Sequence, residues 1–184
     1  GMKAGRNWYR RCAMQKKTTP EKAFNRKYPE QVVLVTTRSR EGRANVMAVG
    51  WVTFASMEPW MFSLGIDDAA YTYELIKKTR EFVVAYPSDK MAKAVLFAST
   101  HHGHKMDKLA KSGLKLQPAL KVKAPLIADA VANFECKLVK IVQPGDCPIL
   151  FGKVVATHEN RDGKVRRLFN VGKNHTLAGV KRIR

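Results

Sequence analysis

Three stretches rich in Val, Thr and aromatic residues follow one another within residues 31–66, and turns rather than helical repeats separate them. This succession limits the fold more than any other feature. Gln31–Thr37 is a short Val/Leu/Thr run of the kind that forms a buried strand. Ser39-Arg40-Glu41-Gly42-Arg43 supplies a turn, Ala44–Ala55 continues as a second strand, and the two make a hairpin. Glu58-Pro59 then turns the chain into a third strand, Trp60–Ile66. Strands joined by short turns are antiparallel. The regular strand–helix alternation of a parallel doubly wound sheet is missing.

Beyond residue 66 the helical signals are few and short. Leu75, Ile76 and Thr79 mark one helix face, opposite Lys77, Lys78 and Arg80; Thr72 is the expected N-cap, and Glu74 complements the positive helix start. Phe82–Tyr86 is a strand stopped by Pro87. Helical stretches are expected over Asp89–Ala98 and Lys105–Lys111, the second closed by Gly113. After a linker holding Pro118 and Pro125, Ala132–Val142 carries Phe134, Cys136 and Leu138 on one face and then switches to Val139 and Ile141. That switch predicts a bulge near Leu138-Val139. Pro144-Gly145-Asp146 turns the chain into Ile149–Thr157, and Val165–Val171 is one more candidate strand. Six to eight mostly antiparallel strands with grouped helices predict a mainly β fold with peripheral helices, a barrel. The 184 residues suit a basic arm over 1–28, partly helical around Pro20–Lys27, and one domain over 29–184.

Lys and Arg number 34 against 15 Asp and Glu, a net charge of +19, which suggests an anionic partner. The distribution narrows that suggestion. Residues 1–27 carry nine basic and one acidic side chain, residues 28–150 sixteen and twelve, and residues 151–184 nine and two. The excess therefore sits at the two ends, which argues against a basic DNA-reading face on the body. Arg10, Arg11, Lys16 and Lys17, with Trp8 and Tyr9 interleaved, could bind single-stranded nucleic acid; a solvated terminus is the plainer reading. Cys12, Cys136 and Cys147 form no Cys-x-x-Cys pair, and an odd, sparse set points to a reducing cytoplasm. The first thirty residues lack an apolar h-region, and Glu58-Pro59 interrupts the apolar stretch Asn45–Ile66, so neither a secretory signal nor a membrane span is expected. No Gly-x-Gly, no P-loop and no Gly-x-Ser-x-Gly elbow occurs.

Several further motifs gain meaning from their order. They are Val32–Thr37, Gly42–Trp51, Ser56-Met57-Glu58-Pro59, Glu81-Phe82-Val83-Val84, Met106-Asp107-Lys108-Leu109, Lys111-Ser112-Gly113-Leu114, Ala124-Pro125-Leu126-Ile127, Phe134-Glu135-Cys136 and Phe151–Ala156. Across residues 29–158 this succession resembles the flavin reductase-like family, FMN-binding split barrels that include the flavoredoxins. The resemblance implies an FMN-binding split β-barrel that forms a homodimer, with one FMN per subunit near the dimer interface. It further implies NADH or NADPH as reductant, with free flavin, an iron complex or a protein as acceptor.

The same resemblance implies the site. The flavin ring would lie along the second strand, with Asn45, Met47, Ala48, Val49, Gly50, Trp51 and Thr53 as cofactor-binding residues. Ala48 and Gly50 are small enough to let a flat ring approach the backbone. Thr72 matches a hydroxyl at a helix start that meets the flavin phosphate, and Lys108 of the Asp107-Lys108 pair would add a charge-assisted contact. His158 falls where the family often places a histidine near the ring. Ser99 and Thr100 are further phosphate donors, ahead of His101-His102-Gly103-His104. That cluster reads as a polar loop beside the phosphate rather than a metal site, since no Cys lies near and Asp107 is the one close carboxylate. Each residue also has a plainer reading: core aromatic for Trp51, turn residue for Asn45, simple N-cap for Thr72, solvated lysine for Lys108. No general acid or base stands out, which suits hydride transfer from nicotinamide to flavin, a reaction governed by alignment. A non-catalytic flavin carrier and a nucleic-acid-binding module using the arm are the alternatives.

Overall fold

The computed structural model of the chain describes residues 14–180. Its strands are β1 (Glu30–Gln31), β2 (Val33–Arg38), β3 (Ala44–Val49), β4 (Val52–Met57), β5 (Trp60–Gly65), β6 (Glu81–Tyr86), β7 (Leu116–Gln117), β8 (Leu126–Ile127), β9 (Ala132–Val142), β10 (Ile149–Glu159), β11 (Leu168–Gly172) and β12 (Thr176–Gly179). Its helices are α1 (Pro20–Phe24), α2 (Tyr71–Thr79), α3 (Ala92–Thr100) and α4 (Lys108–Ser112). Among the described residues no helix is long and apolar enough to cross a membrane. Arg10, Arg11, Trp8, Tyr9 and Cys12 lie outside the described residues.

Seven strands pair in the order β3-β2-β6-β9-β10-β5-β4, every pairing antiparallel. Val33, Val35, Val49, Val52, Phe62, Leu64, Phe82, Val84, Cys136, Leu138 and Leu150, drawn from all seven, meet in one buried cluster. A flat sheet cannot bring its two edge strands to one core, so the sheet is curled. β3 and β4, consecutive in the chain, stand at opposite ends of the pairing order, and that unpaired junction is the split in the barrel. Outside the barrel, Val32, Leu34, Val46 and Ala85 pack under Val95, Ala98, Leu109 and Leu168. β2 is thereby covered on both faces, which explains its unbroken apolar run.

Four expectations need correction. Ala44–Ala55 is two strands: β3 pairs with β2, whereas β4 pairs with β5. Val49 and Val52, three positions apart, would face opposite sides of one straight strand; the corner at Gly50-Trp51 buries both in the same core. Thr72 does not cap α2, because Ala70 holds that position and Thr72 lies inside the first turn. Asp107 caps α4, its carboxylate accepting the Ala110 N–H at 3.1 Å, so the helix starts at Lys108 and not Lys105. In the tail, β11 begins at Leu168 and forms a hairpin with β12. Glu30 of β1 pairs with Asn170 of β11, so the segment before the barrel and the tail share a three-stranded sheet. The predicted bulge is present: Phe151 faces Lys140 and Gly152 faces Leu138, leaving Val139 unpaired.

A candidate binding groove along β3

At one end of β3 the polar groups are buried. The Asn45 amide donates from Nδ2 to Thr72 Oγ1 at 3.0 Å, and both side chains are almost fully enclosed. α2 starts there with no side-chain cap, so its first N–H groups and the positive end of its dipole point toward the same space. Lys108 is 5% exposed, and its Nζ donates to the Ala98 carbonyl at 3.3 Å. Burial lowers its pKa to about 8. These groups, with His101, His102 and His104, enclose a cavity of about 130 Å³. The Arg43 guanidinium holds the histidine loop by donating to the carbonyls of Gly103 at 2.9 Å and Met106 at 2.7 Å. A Cβ at Gly103 would sit 2.4 Å from Asn45 Oδ1, so only glycine lets the loop close over Asn45. His101 stacks on Phe97 at 4.0 Å, and His104 lies 4.7 Å from the Tyr71 ring.

A second cavity, about 280 Å³, continues along the strand toward Gly50 and Trp51. Both cavities are lined by Met47, Ala48 and Ser99, so they form one groove. Small side chains make its floor. At the Trp51 end, Glu30 takes hydrogen bonds from Lys27 and from Asn170 Nδ2, the latter at 3.4 Å. Gln31 of β1 accepts from Arg167, the residue before β11, at 3.3 Å and donates to the Val52 carbonyl of β4. A Cβ on Gly65 would come within 3.0 Å of the Trp51 ring, so this glycine gives Trp51 room to lie across β5.

The structure brings Asn45, Met47, Ala48, Val49, Gly50, Trp51, Thr72, Ser99 and Lys108 to this groove. Three other candidates lie elsewhere. Thr53 is exposed on β4, past the corner that separates it from β3. Thr100 is exposed, and its hydroxyl donates back to the Leu96 carbonyl at 3.0 Å. His158 lies on β10 with its Nε2 2.7 Å from Glu135 Oε1, in a separate cavity shared with Asn133 and Arg161. Ser99 lines the groove, but its hydroxyl donates to the Val95 carbonyl at 2.8 Å. Tyr71, Glu30, Asn170 and His175 line the groove without any local signal that marks them. Asn170 and His175 arrive through pairing over some 140 positions, invisible to a window of neighbouring residues.

Comparison with known proteins now fits this geometry. The model of the flavin reductase like domain matches residues 25–177, and the chain belongs to this family. It is 40% identical over 129 residues to an uncharacterised protein of Pyrococcus abyssi, spanning 70% of this chain and 73% of that one. It is 38% identical over 140 residues to an uncharacterised protein of Archaeoglobus fulgidus, spanning 74% and 78%. Among solved structures it is similar to a flavoredoxin of Desulfovibrio vulgaris, with a TM-score of 0.78, 24% identity, and coverage of 92% of this chain and 96% of that one. An FMN-binding protein from Thermus thermophilus gives a TM-score of 0.80 at 23% identity, covering 92% and 98%. These likenesses establish the shared fold.

Proposed function

We propose that the protein is a cytoplasmic FMN-dependent oxidoreductase that works as a homodimer. In this reading it draws electrons from NADH or NADPH and passes them to free flavin, an iron complex or a protein. One observation carries the reading: a groove floored by small residues ends at a buried lysine whose ammonium, among the described residues, hydrogen-bonds to a carbonyl alone. A buried ammonium without a counter-charge is costly, and a dianionic phosphate supplies that charge. The residues fit FMN in three respects. Ala48 and Gly50 admit a flat ring against the β3 backbone; Thr72 and the uncapped start of α2 offer donors; Lys108 offers charge.

Bound FMN would supply the two-electron chemistry. The chain's own residues hold and orient. Asn45 fixes the Thr72 hydroxyl, Arg43 holds the histidine loop over the phosphate end, and Gln31 holds the Val52 carbonyl beside Trp51. For the homodimer, the support is an apolar surface on β4 and the start of β5: Phe54, Met57 and Trp60 are 41%, 70% and 47% exposed. An unpaired edge strand with such a patch is a surface that a second copy would cover.

The test is a titration of the purified protein with FMN, followed by anaerobic addition of NADH or NADPH. A bound flavin spectrum that bleaches supports the oxidoreductase. A bound spectrum that neither nucleotide bleaches leaves the carrier reading, and no binding at all overturns both.

A further inference from the structure

The loop between α3 and α4, residues 101–107, is fixed at both ends and in its middle. At its start the His101 ring stacks on Phe97 at 4.0 Å, and its Nδ1 lies 2.9 Å from the Phe97 carbonyl. At its end Asp107 caps α4. Between them Arg43 donates from one guanidinium nitrogen to the carbonyls of Gly103 at 2.9 Å and Met106 at 2.7 Å. Arg43 stands just before β3, and its guanidinium lies 5.7 Å from the centre of the Tyr71 ring. The loop is seated on two elements at once. Gly103 is buried, and a Cβ there would meet not only Asn45 Oδ1 at 2.4 Å but also Tyr71 Cδ1 at 2.9 Å. Its backbone therefore closes the gap between β3 and the start of α2, beside the Asn45–Thr72 pair.

We infer that this loop restricts the cofactor to a flavin ending in a single phosphate and rejects a dinucleotide such as FAD, with Arg43 as the positioning residue that holds it shut. The inference rests on the FMN reading above. In that reading the ring lies toward Trp51, and the phosphate meets Thr72 and Lys108. FAD carries a second phosphate and an adenosine beyond that point. The cavity there is about 130 Å³, against the roughly 300–1,000 Å³ of a pocket that buries a drug-sized ligand. One phosphate fits; a further nucleotide meets Gly103 and Tyr71. Making room parts Arg43 from two carbonyls, and groups that lose their partners cost free energy. A steric wall of this kind separates two ligands that share one end.

Two variants open the loop by different routes. Arg43→Met keeps an apolar stem and removes both hydrogen bonds. Gly103→Ala adds the methyl that meets Asn45 and pushes the loop outward, with Arg43 still in place. Binding of FMN, and of FAD freed of FMN, is measured for each purified protein by equilibrium dialysis. The parent should bind FMN at least about 100-fold more tightly than FAD. In both variants FAD affinity should rise by roughly 5- to 30-fold while FMN affinity falls by less than about tenfold, so the preference narrows. A loosened fold lowers both affinities, so the rise with FAD separates a wall from a merely structural loop. Parent protein that binds FAD as tightly as FMN would overturn the inference and leave the flavin reading standing. Variants that keep the parent's ratio of affinities, or lose both affinities together, would overturn it as well. Parent protein that takes up neither flavin removes the underlying reading, and this inference with it.

Discussion

Glu135 in β9 and Lys108 at the start of α4 are both buried, at 0% and 5% exposure, but they keep different company. The Glu135 carboxylate accepts the N–H groups of Leu120 at 2.8 Å, Lys121 at 2.6 Å and Val122 at 3.1 Å, and pairs with His158 at 2.7 Å. Burial pushes its pKa up, yet the donors together bring it below the usual carboxylate value. Among the described residues Lys108 has one carbonyl at 3.3 Å, and burial pulls its pKa down to about 8. A charge whose shell is filled by its own chain fastens structure, here the 120–122 segment onto β9. A charge whose shell is left open beside a cavity holds a place for a ligand. The histidine expected near the ring, His158, belongs to the first kind.

That contrast can be broken by mutation. Glu135→Ala leaves three backbone donors and His158 without their acceptor, and should cost about 3–5 kcal/mol in urea unfolding. FMN affinity of the folded fraction should stay within about twofold, and a large loss there would erase the distinction. Lys108→Met keeps the apolar stem and removes the charge, so the two effects should have the opposite pattern. FMN should bind roughly 10- to 100-fold more weakly, while the unliganded protein gains about 1–3 kcal/mol at pH 7.

Acidity sharpens the same comparison. Lys108 has a folded pKa of about 8 against an ordinary value of 10.5. The unfolded chain therefore holds more protons between these values, and parent stability rises relative to K108M as pH climbs through that window. Phosphate favours the ammonium, so FMN affinity should fall above pH 8 by up to about tenfold per unit, a slope absent in K108M. Glu135 gives a slope of the same sign in the acid range: its folded pKa is depressed, so its contribution is present above the ordinary carboxylate pKa and is lost as pH falls through the folded value. The smallest effect belongs to Thr72→Val, which removes the partner of Asn45 and should weaken FMN binding by about 2- to 10-fold.

Much of this was legible in the residues, for local reasons. β2 reads as buried because both faces are covered, and the Val139 bulge shows because the apolar face switches there. The groove's floor and its lysine, from Asn45 to Trp51 and at Lys108, follow motif order rather than chemistry readable in isolation. The corner at Gly50-Trp51 was not legible, because the apolar pattern continues across it into a core shared by β3 and β4. Thr72 carries the chemistry of an N-cap, but its hydroxyl meets Asn45 from within the first turn.

The residues by themselves determined most strands of the barrel, their antiparallel succession and the family, since these depend on alternation, turn chemistry and ordered motifs. Which charges are filled and which stand open was decided by tertiary structure. Glu135 and His158 are 23 positions apart, and β1 and β11 lie some 140 apart; hydrogen bonds over such spans form only once the barrel has curled. The strand after the N-terminal basic segment and the first strand of the tail meet in the same way. Within the described residues, β1 and β11 pair beside the Trp51 end of the groove, a juxtaposition that charge counts along a chain cannot express.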